Sequence, residues 1–354
     1  MSDRQPLLVN SPCGLHCPDA GIYVDAWRGV DHNIVTHAHS DHARGGSRRY
    51  LCAADGVNVL RQRLGEGTAI DPLQYGEPLE INGVRISLHP AGHVLGSAQV
   101  RLERAGEVAV ISGDYKLHAD PTCQPFELIR CHTFISECTF GLPIFRWRDP
   151  QAVAEEINAW WRQSQELDRT CILLAYSLGK AQRVLALLDE SIGPILLHGA
   201  VAAVVEAYRQ TGVKLPPAEY ATPELARQHR GKAMVIAPPS ALDSPWARKF
   251  SPYSVAAASG WMQVRGFRRR RGVDRGFVLS DHVDWPGLHE TINATGASRV
   301  IVTHGYTSSL ARALRERGVG AEEFSTHFGG EEEEAERSGD EPSAETPPCE
   351  EETP

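Results

Sequence analysis

The densest chemistry in this 354-residue chain lies in one heptapeptide, Thr36-His37-Ala38-His39-Ser40-Asp41-His42. Three histidines and an aspartate sit there directly after the apolar pair Ile34-Val35. Imidazole nitrogens and carboxylate oxygens are the donors that suit Zn²⁺, and Mn²⁺ accepts the same set. Donors packed this closely along the chain cannot all converge on a single tetrahedral ion without severe strain. Division between two neighbouring ions is easier, with His37 and His39 reaching one and Asp41 and His42 the other. Two divalent ions a few ångströms apart form a clamp for hydrolysing a phosphodiester or an amide.

Other chemistry-bearing residues stand at the ends of apolar runs. Val108-Ala109-Val110-Ile111 leads into Ser112-Gly113-Asp114, which places a carboxylate at a strand end beside a flexible glycine. A carboxylate so placed can bridge two ions. His93 lies between Gly92 and Gly96, where the backbone can bring its ring close to a metal. His282 follows Leu279-Ser280-Asp281, and His304 follows Val302-Thr303. Strand ends that aim imidazoles at one place are typical of ligand and acid/base sites. The densest basic run holds Arg265, Arg268, Arg269, Arg270 and Arg271, joined by Arg275. Arginine forks suit phosphate oxygens, and Phe267 or Trp261 offers a face for a nucleic-acid base.

These residues need elements to hold them. The first part reads as short strands punctuated by glycine turns, at 22–24, 33–35, 84–88, 98–102, 108–111 and 133–135. After Pro150 the texture changes. A helix is expected over 151–167, with Val153, Ile157, Trp160 and Trp161 at helical spacing. Strands at 171–175, 195–197 and 233–237 then alternate with helices at 179–191 and 200–210. Such alternation argues for a parallel sheet. A third section begins near Gly276, with strands at 277–279 and 299–303 and helices at 285–294 and 308–317. Its strands end at histidines, as those of the first section do. The economical reading is a metal-binding fold interrupted by an α/β insertion.

Composition sets the outer bounds. No run approaches the roughly 18 apolar residues that would span a bilayer, and the first ten residues lack a secretory pattern. A soluble, cytoplasmic protein with no membrane partner is expected. The eight cysteines are scattered and form no disulfide framework, so reduced thiols are expected. The net charge of −9 is concentrated at one end. Residues 331–354 carry eleven acids and one arginine, a net of −10, so the rest of the chain stands at +1. With its Glu, Pro and Ser and no apolar face, the tail from 329 to 354 is expected to be disordered.

The order His37-x-His39-x-Asp41-His42, His93, Asp114 and His304 resembles the metallo-β-lactamase fold. Asp25 matches that family's early aspartate, which supports the metal loop without being a ligand. Glu137, His282 and His304 resemble the three extra motifs of the β-CASP branch, the nucleases of the superfamily. The resemblance implies an α/β chain built as an αββα sandwich, with residues 1–150 and 276–328 as its two parts and 151–275 as an inserted α/β β-CASP cap. It implies two divalent ions. One would be held by His37, His39, His93 and Asp114, the other by Asp41, His42, Asp114 and His304. Asp41 would also orient the attacking water. His282, oriented by Glu137, would protonate the leaving oxygen.

A narrower resemblance rests on Tyr23-Val24-Asp25-Ala26-Trp27-Arg28, His37 to Ser47 and Gly141 to Trp147. These are similar to the bacterial ligase-associated DNA damage response exonucleases. That group implies DNA as substrate, with an ATP-dependent DNA ligase and a helicase as partners. His304 points the other way, because DNA enzymes of the branch often carry valine there and RNA enzymes histidine. An RNA-processing nuclease of the mRNA 3′-end factor type is therefore the alternative. A small-substrate metallo-hydrolase or an inactive scaffold is more remote.

Overall fold

The computed structural model describes residues 6–324 apart from residue 271. The acidic tail, Arg271 and the side chains of Arg268 and Arg270 lie outside the described residues. Strands and helices are numbered in chain order.

The first sheet has six strands in sequence order: β1 (Val9–Ser11), β2 (Gly14–Cys17), β3 (Ile22–Val24), β4 (His32–Ile34), β5 (Arg49–Ala53) and β6 (Ile70–Leu73). β1 to β3 pair antiparallel, and β3 to β6 pair parallel. The second sheet has seven, in the order β19 (Gly320–Glu323), β18 (Arg299–Gly305), β11 (Thr133–Cys138), β10 (Glu107–Ile111), β9 (Ala98–Arg104), β8 (Val84–Pro90) and β7 (Leu79–Ile81). β11 and β18 are parallel neighbours, with Thr133 opposite Arg299. Between these neighbours the chain builds a third sheet, parallel throughout. Its order is β14 (Glu219–Tyr220), β13 (Ile195–Leu197), β15 (Met234–Ala237), β12 (Thr170–Leu174), β16 (Tyr253–Ala258) and β17 (Arg275–Phe277).

The helices are α1 (Val57–Leu64), α2 (Pro150–Glu166), α3 (Lys180–Leu187), α4 (Gly199–Gln210), α5 (Pro223–Gln228), α6 (Arg265–Arg270), α7 (Trp285–Thr295) and α8 (Thr307–Glu316). The pleat of β10 shows how the layers arise. Ala109 and Ile111 face the first sheet, where Ile22, Val24 and Ile34 meet them. Val108 and Val110 face the other way, onto Leu288 and Ile292 of α7 and Leu310 and Leu314 of α8. Both faces are covered, so β10 reads as a continuous apolar run and not as an alternating one. On the far side of the first sheet, Tyr50 and Cys52 pack on Val59 and Leu60 of α1 and on Val204 and Tyr208 of α4. The result is four layers, helix, sheet, sheet and helix, and the site sits at one end of the strands.

In the third-sheet region α2 starts where Asp149 accepts a hydrogen bond from the Gln151 amide and Pro150 fits the first turn. Val153, Ile157, Trp160 and Trp161 are buried on one stripe, as their spacing predicts. The helix expected over 179–191 stops at Leu187. The Asn158 side chain ends it, donating to the Leu187 carbonyl at 3.2 Å and accepting from the Asp189 amide at 3.1 Å. The strand expected at 277–279 is β17 (Arg275–Phe277), and it pairs with β16 in the third sheet. Six of the described cysteines, Cys17, Cys52, Cys123, Cys131, Cys138 and Cys171, are free thiols. No described helix is long and apolar enough to cross a membrane.

Candidate active site

The metal loop is shaped by one aspartate. Asp25 follows β3 with a left-handed backbone, φ +48°. Its carboxylate accepts the Thr36 amide at 2.8 Å and the Thr36 hydroxyl at 2.6 Å. The same carboxylate accepts from His42 Nδ1 at 2.7 Å. A carboxylate can only accept, so His42 carries its hydrogen on Nδ1 and turns Nε2 inward. There Nε2 stands 3.5 Å from Asp41 Oδ2 and 3.6 Å from Asp114 Oδ2.

The other histidines repeat the arrangement. His39 Nε2 donates to the Leu178 carbonyl at 3.2 Å, and His93 Nδ1 donates to the Asp281 carbonyl at 2.8 Å. A neutral imidazole has a single N–H, so the inward atoms of both rings, His39 Nδ1 and His93 Nε2, are lone pairs. They lie 3.1 Å apart, and His37 Nε2 is also 3.1 Å from His39 Nδ1. Lone pairs facing one another at this distance repel unless a cation sits among them. Nitrogens bound at about 2.0–2.1 Å around a tetrahedral Zn²⁺ stand roughly 3.3 Å apart, close to the spacing seen. The donor set fits a divalent ion, and each ring is fixed from behind as metal-binding histidines are.

Asp114 is the hub. Its Oδ2 lies 3.4 Å from His37, 3.6 Å from His42, 3.8 Å from His93 and 3.9 Å from His282. Gly113 brings it there. Its φ is +55°, and a Cβ at this position would meet the Thr36 Cβ at 2.8 Å. Ligand atoms of His37, His39, His93 and Asp114 all lie within 4.8 Å of one another, as do those of His37, Asp41 and His42. Asp114, Glu137 and His282 form a third such group.

Charge follows from burial. Desolvation, and then the neighbouring imidazoles, push His37 and His93 well below the ordinary histidine range. Both therefore offer neutral lone pairs. Burial also opposes charge on His42, but Asp41, Asp114 and Asp25 outweigh it and raise its pKa well above the usual value. A cation held there by His42 would take the place of that proton.

His282 Nδ1 donates to Glu137, 2.9 Å from one oxygen and 3.0 Å from the other. The Tyr115 and Thr139 amides hold the same carboxylate, at 2.8 and 3.4 Å. His304 lies beside the centre but outside the three donor groups. Its ring stacks on His42 with centroids 5.1 Å apart, and burial, then His42 and His282, lower its pKa to about 3.

Residues 265–270 of the basic run form α6, on which Arg265 and Arg269 are exposed. Rings connect this helix to the centre, Phe267 to Trp261 at 5.0 Å, Trp261 to Phe140 at 4.8 Å and Phe140 to His282 at 5.9 Å. Trp261, expected to offer a stacking face, is 7% exposed and packed in that chain of rings. Sequence reasoning missed a buried charge cluster behind His93, made of Lys116, Asp120, Lys180, Arg183 and Asp281. Only the Asp281 beside His282 carried any signal of it.

No family model matches the chain. A protein of Opitutus terrae named probable DNA ligase is 32% identical over 310 residues, which is 87% of this chain and 30% of that protein. Cleavage and polyadenylation specificity factor subunit 3 of Dictyostelium discoideum is 29% identical over 34% of this chain and 16% of its own length. Endoribonuclease YSH1 of Yarrowia lipolytica is 29% identical over 34% of this chain and 15% of its own. The chain thus spans less than a third of the length of these relatives. A crystal structure of a protein of unknown function from Enterococcus faecalis superposes with a TM-score of 0.58 at 12% identity, covering 84% of this chain and 80% of that one, a likeness of fold. The chain is a relative of the β-CASP metallo-β-lactamase-fold nucleases. Of these three relatives, the Opitutus protein matches over the longest stretch of the chain.

Proposed function

We propose that this chain is a dimetal phosphodiesterase that shortens DNA ends in repair. The observation that carries the reading is Asp114 Oδ2, a single carboxylate oxygen within 3.9 Å of four imidazoles. Two ions, Zn²⁺ first and Mn²⁺ by the same donors, would be held by His37, His39, His93 and Asp114 and by Asp41, His42, Asp114 and His304. When bound they supply an activated water and neutralise charge on the phosphate oxygens. Asp41 accepts a hydrogen bond from the attacking water and orients it. His282, whose Nδ1–H Glu137 accepts, gives the Nε2 proton of its imidazolium form to the leaving oxygen. Arg265, Arg268, Arg269, Arg270 and Arg271 bind the phosphodiester backbone.

Residues 151–275 serve as the β-CASP cap between core segments 1–150 and 276–328. This is supported by the parallel third sheet, which separates β11 from its neighbour β18 along the chain, although β17 carries that sheet past the boundary to Phe277. DNA is favoured because the match covering most of the chain is to a protein named for DNA ligation. That match also motivates a partnership with a DNA ligase; a helicase partner and a cytoplasmic setting rest on the resemblance to the ligase-associated exonucleases alone. RNA processing is the second reading, motivated by His304 and by the relatives named for endoribonuclease and cleavage activity.

End-labelled single-stranded DNA and RNA of one sequence separate the two. Each is incubated with metal-stripped protein, then with Zn²⁺ or Mn²⁺ restored, beside Asp41→Ala. Stepwise DNA shortening that needs both metal and Asp41 is expected. Cleavage of RNA alone transfers the protein to RNA processing, and inertness towards both refutes the nuclease reading.

A further inference from the structure

Two of the candidate ligands are oriented by atoms that lie outside the metal loops. The carbonyl that fixes His39 belongs to Leu178, in the turn after β12. The carbonyl that fixes His93 belongs to Asp281, whose own side chain is gripped by α3. Lys180 Nζ stands 2.7 Å from Asp281 Oδ2, and an Arg183 guanidinium nitrogen 3.1 Å from Oδ1. Lys116 completes the grip. It lies 3.7 Å from Asp281, pairs with Asp120 at 2.6 Å and donates to the main-chain carbonyl of His93 at 3.1 Å. All five charged side chains are at most 6% exposed.

A cluster of this kind is poor value as a source of stability. Desolvation of the charges cancels most of their attraction, and apolar replacements are often as stable. What such a cluster does specify is geometry, because each charged group tolerates few positions for its partners. The turn is also fitted sterically. Gly179 has φ +86°, and a Cβ there would meet Val94 Cγ1 at 2.2 Å. Val94 is the residue next to His93, so this turn touches the His93 loop directly.

We propose that the 178–183 segment of the third-sheet region is a positioning device for one ion only, the one held by His37, His39, His93 and Asp114. Leu178 sets the His39 ring through its carbonyl. Lys180 and Arg183 set the His93 ring through Asp281. The Asp41 and His42 side of the centre is fixed separately, by Asp25. The third-sheet region is thereby part of the metal centre, and occupancy of one ion reports whether the two are docked. The inference rests on the metal reading above.

Native mass spectrometry counting Zn²⁺ per chain, with chelator competition for affinity, tests it on Lys180→Met and Gly179→Ala. The first removes a charge and the second adds a methyl, so they share no chemistry except their effect on this turn. Both are expected to weaken one ion by about 10- to 100-fold, the usual effect of losing an outer partner of a metal-binding histidine. The second ion stays at wild-type affinity, and Lys180→Arg, which keeps the charge, keeps both ions. Retention of both ions at wild-type affinity in both variants overturns the proposal. So does equal loss of both ions, including loss that accompanies unfolding, since the segment then supports the fold and not one ligand set. A wild-type chain that takes up no Zn²⁺ at all refutes the underlying metal reading instead.

Discussion

Glu137→Gln isolates the acid role assigned to His282. The two side chains have nearly the same volume, and Glu137 is 1% exposed, so the site keeps its shape. The carboxylate now accepts from three N–H groups, those of Tyr115 at 2.8 Å, Thr139 at 3.4 Å and His282 at 2.9 Å. An amide has one accepting oxygen, and its NH₂ needs an acceptor. The two backbone amides bond different oxygens, Tyr115 to Oε1 and Thr139 to Oε2, so the amide oxygen keeps the shorter Tyr115 bond, the NH₂ takes the Oε2 place beside His282 Nδ1, and the imidazole must switch tautomer. Its Nε2–H then belongs to a neutral ring, a far weaker acid than the imidazolium that the carboxylate supports. Loss of general acid catalysis costs about 10²- to 10⁴-fold in kcat, or roughly 2.7–5.4 kcal/mol of activation free energy. Single-turnover cleavage of end-labelled DNA measures it, with the ion content determined on the same sample. Both ions and KM are expected to be retained. The double variant with His282→Ala should be no slower than His282→Ala alone, because the pair acts as a unit. The reasoning fails if Glu137→Gln loses an ion. Asp114, Glu137 and His282 would then be ligands, as their own donor spacing within 4.8 Å allows.

Gly113→Ala should cost about 1–3 kcal/mol, since φ is +55° and the new methyl meets Thr36; an unchanged urea midpoint would count against the packing described. Asp120 is buried, which opposes its charge, yet Lys116 and Arg183 hold its carboxyl below the ordinary range. A depressed folded pKa contributes stability that is complete above the unfolded carboxylate value and lost as pH falls through the folded one. Asp120→Asn should therefore destabilise by about 3–5 kcal/mol at neutral pH, and the gap to wild type should close in acid; a gap that stays constant with pH contradicts this. Arg265→Gln with Arg269→Gln should weaken single-strand binding and flatten its salt dependence by about 0.7 in log–log slope per lost phosphate contact. An unaltered slope removes α6 from the interface.

Elements with strong periodicity were legible in the sequence. α2 declared itself through Val153, Ile157, Trp160 and Trp161, and β10 through an unbroken apolar run into Asp114. α1 did not, because Val57–Leu64 is half polar and lacks a side-chain cap. β16 did not either, because Tyr253–Ala258 is built on alanines with little strand preference. The candidate ligands were readable where chemistry is crowded into a few positions, at 37–42. The groups behind them were not. Arg183 and Asp281 stand 98 residues apart and carry no shared pattern. The Leu178 contribution is a backbone carbonyl, which every residue type provides.

α4 has a consequence for how the molecule comes apart. One side of this helix, with Val201 and Val205, belongs to the core of the third sheet. The other side, with Val204, Ala207 and Tyr208, belongs to the core outside the first sheet, where the Tyr208 hydroxyl also accepts the Leu95 amide. A helix apolar on two sides cannot lose either neighbour without wetting a buried surface. The two cores are thereby coupled through one helix, and a single thermal transition is expected in calorimetry; a separately melting middle segment would contradict the coupling.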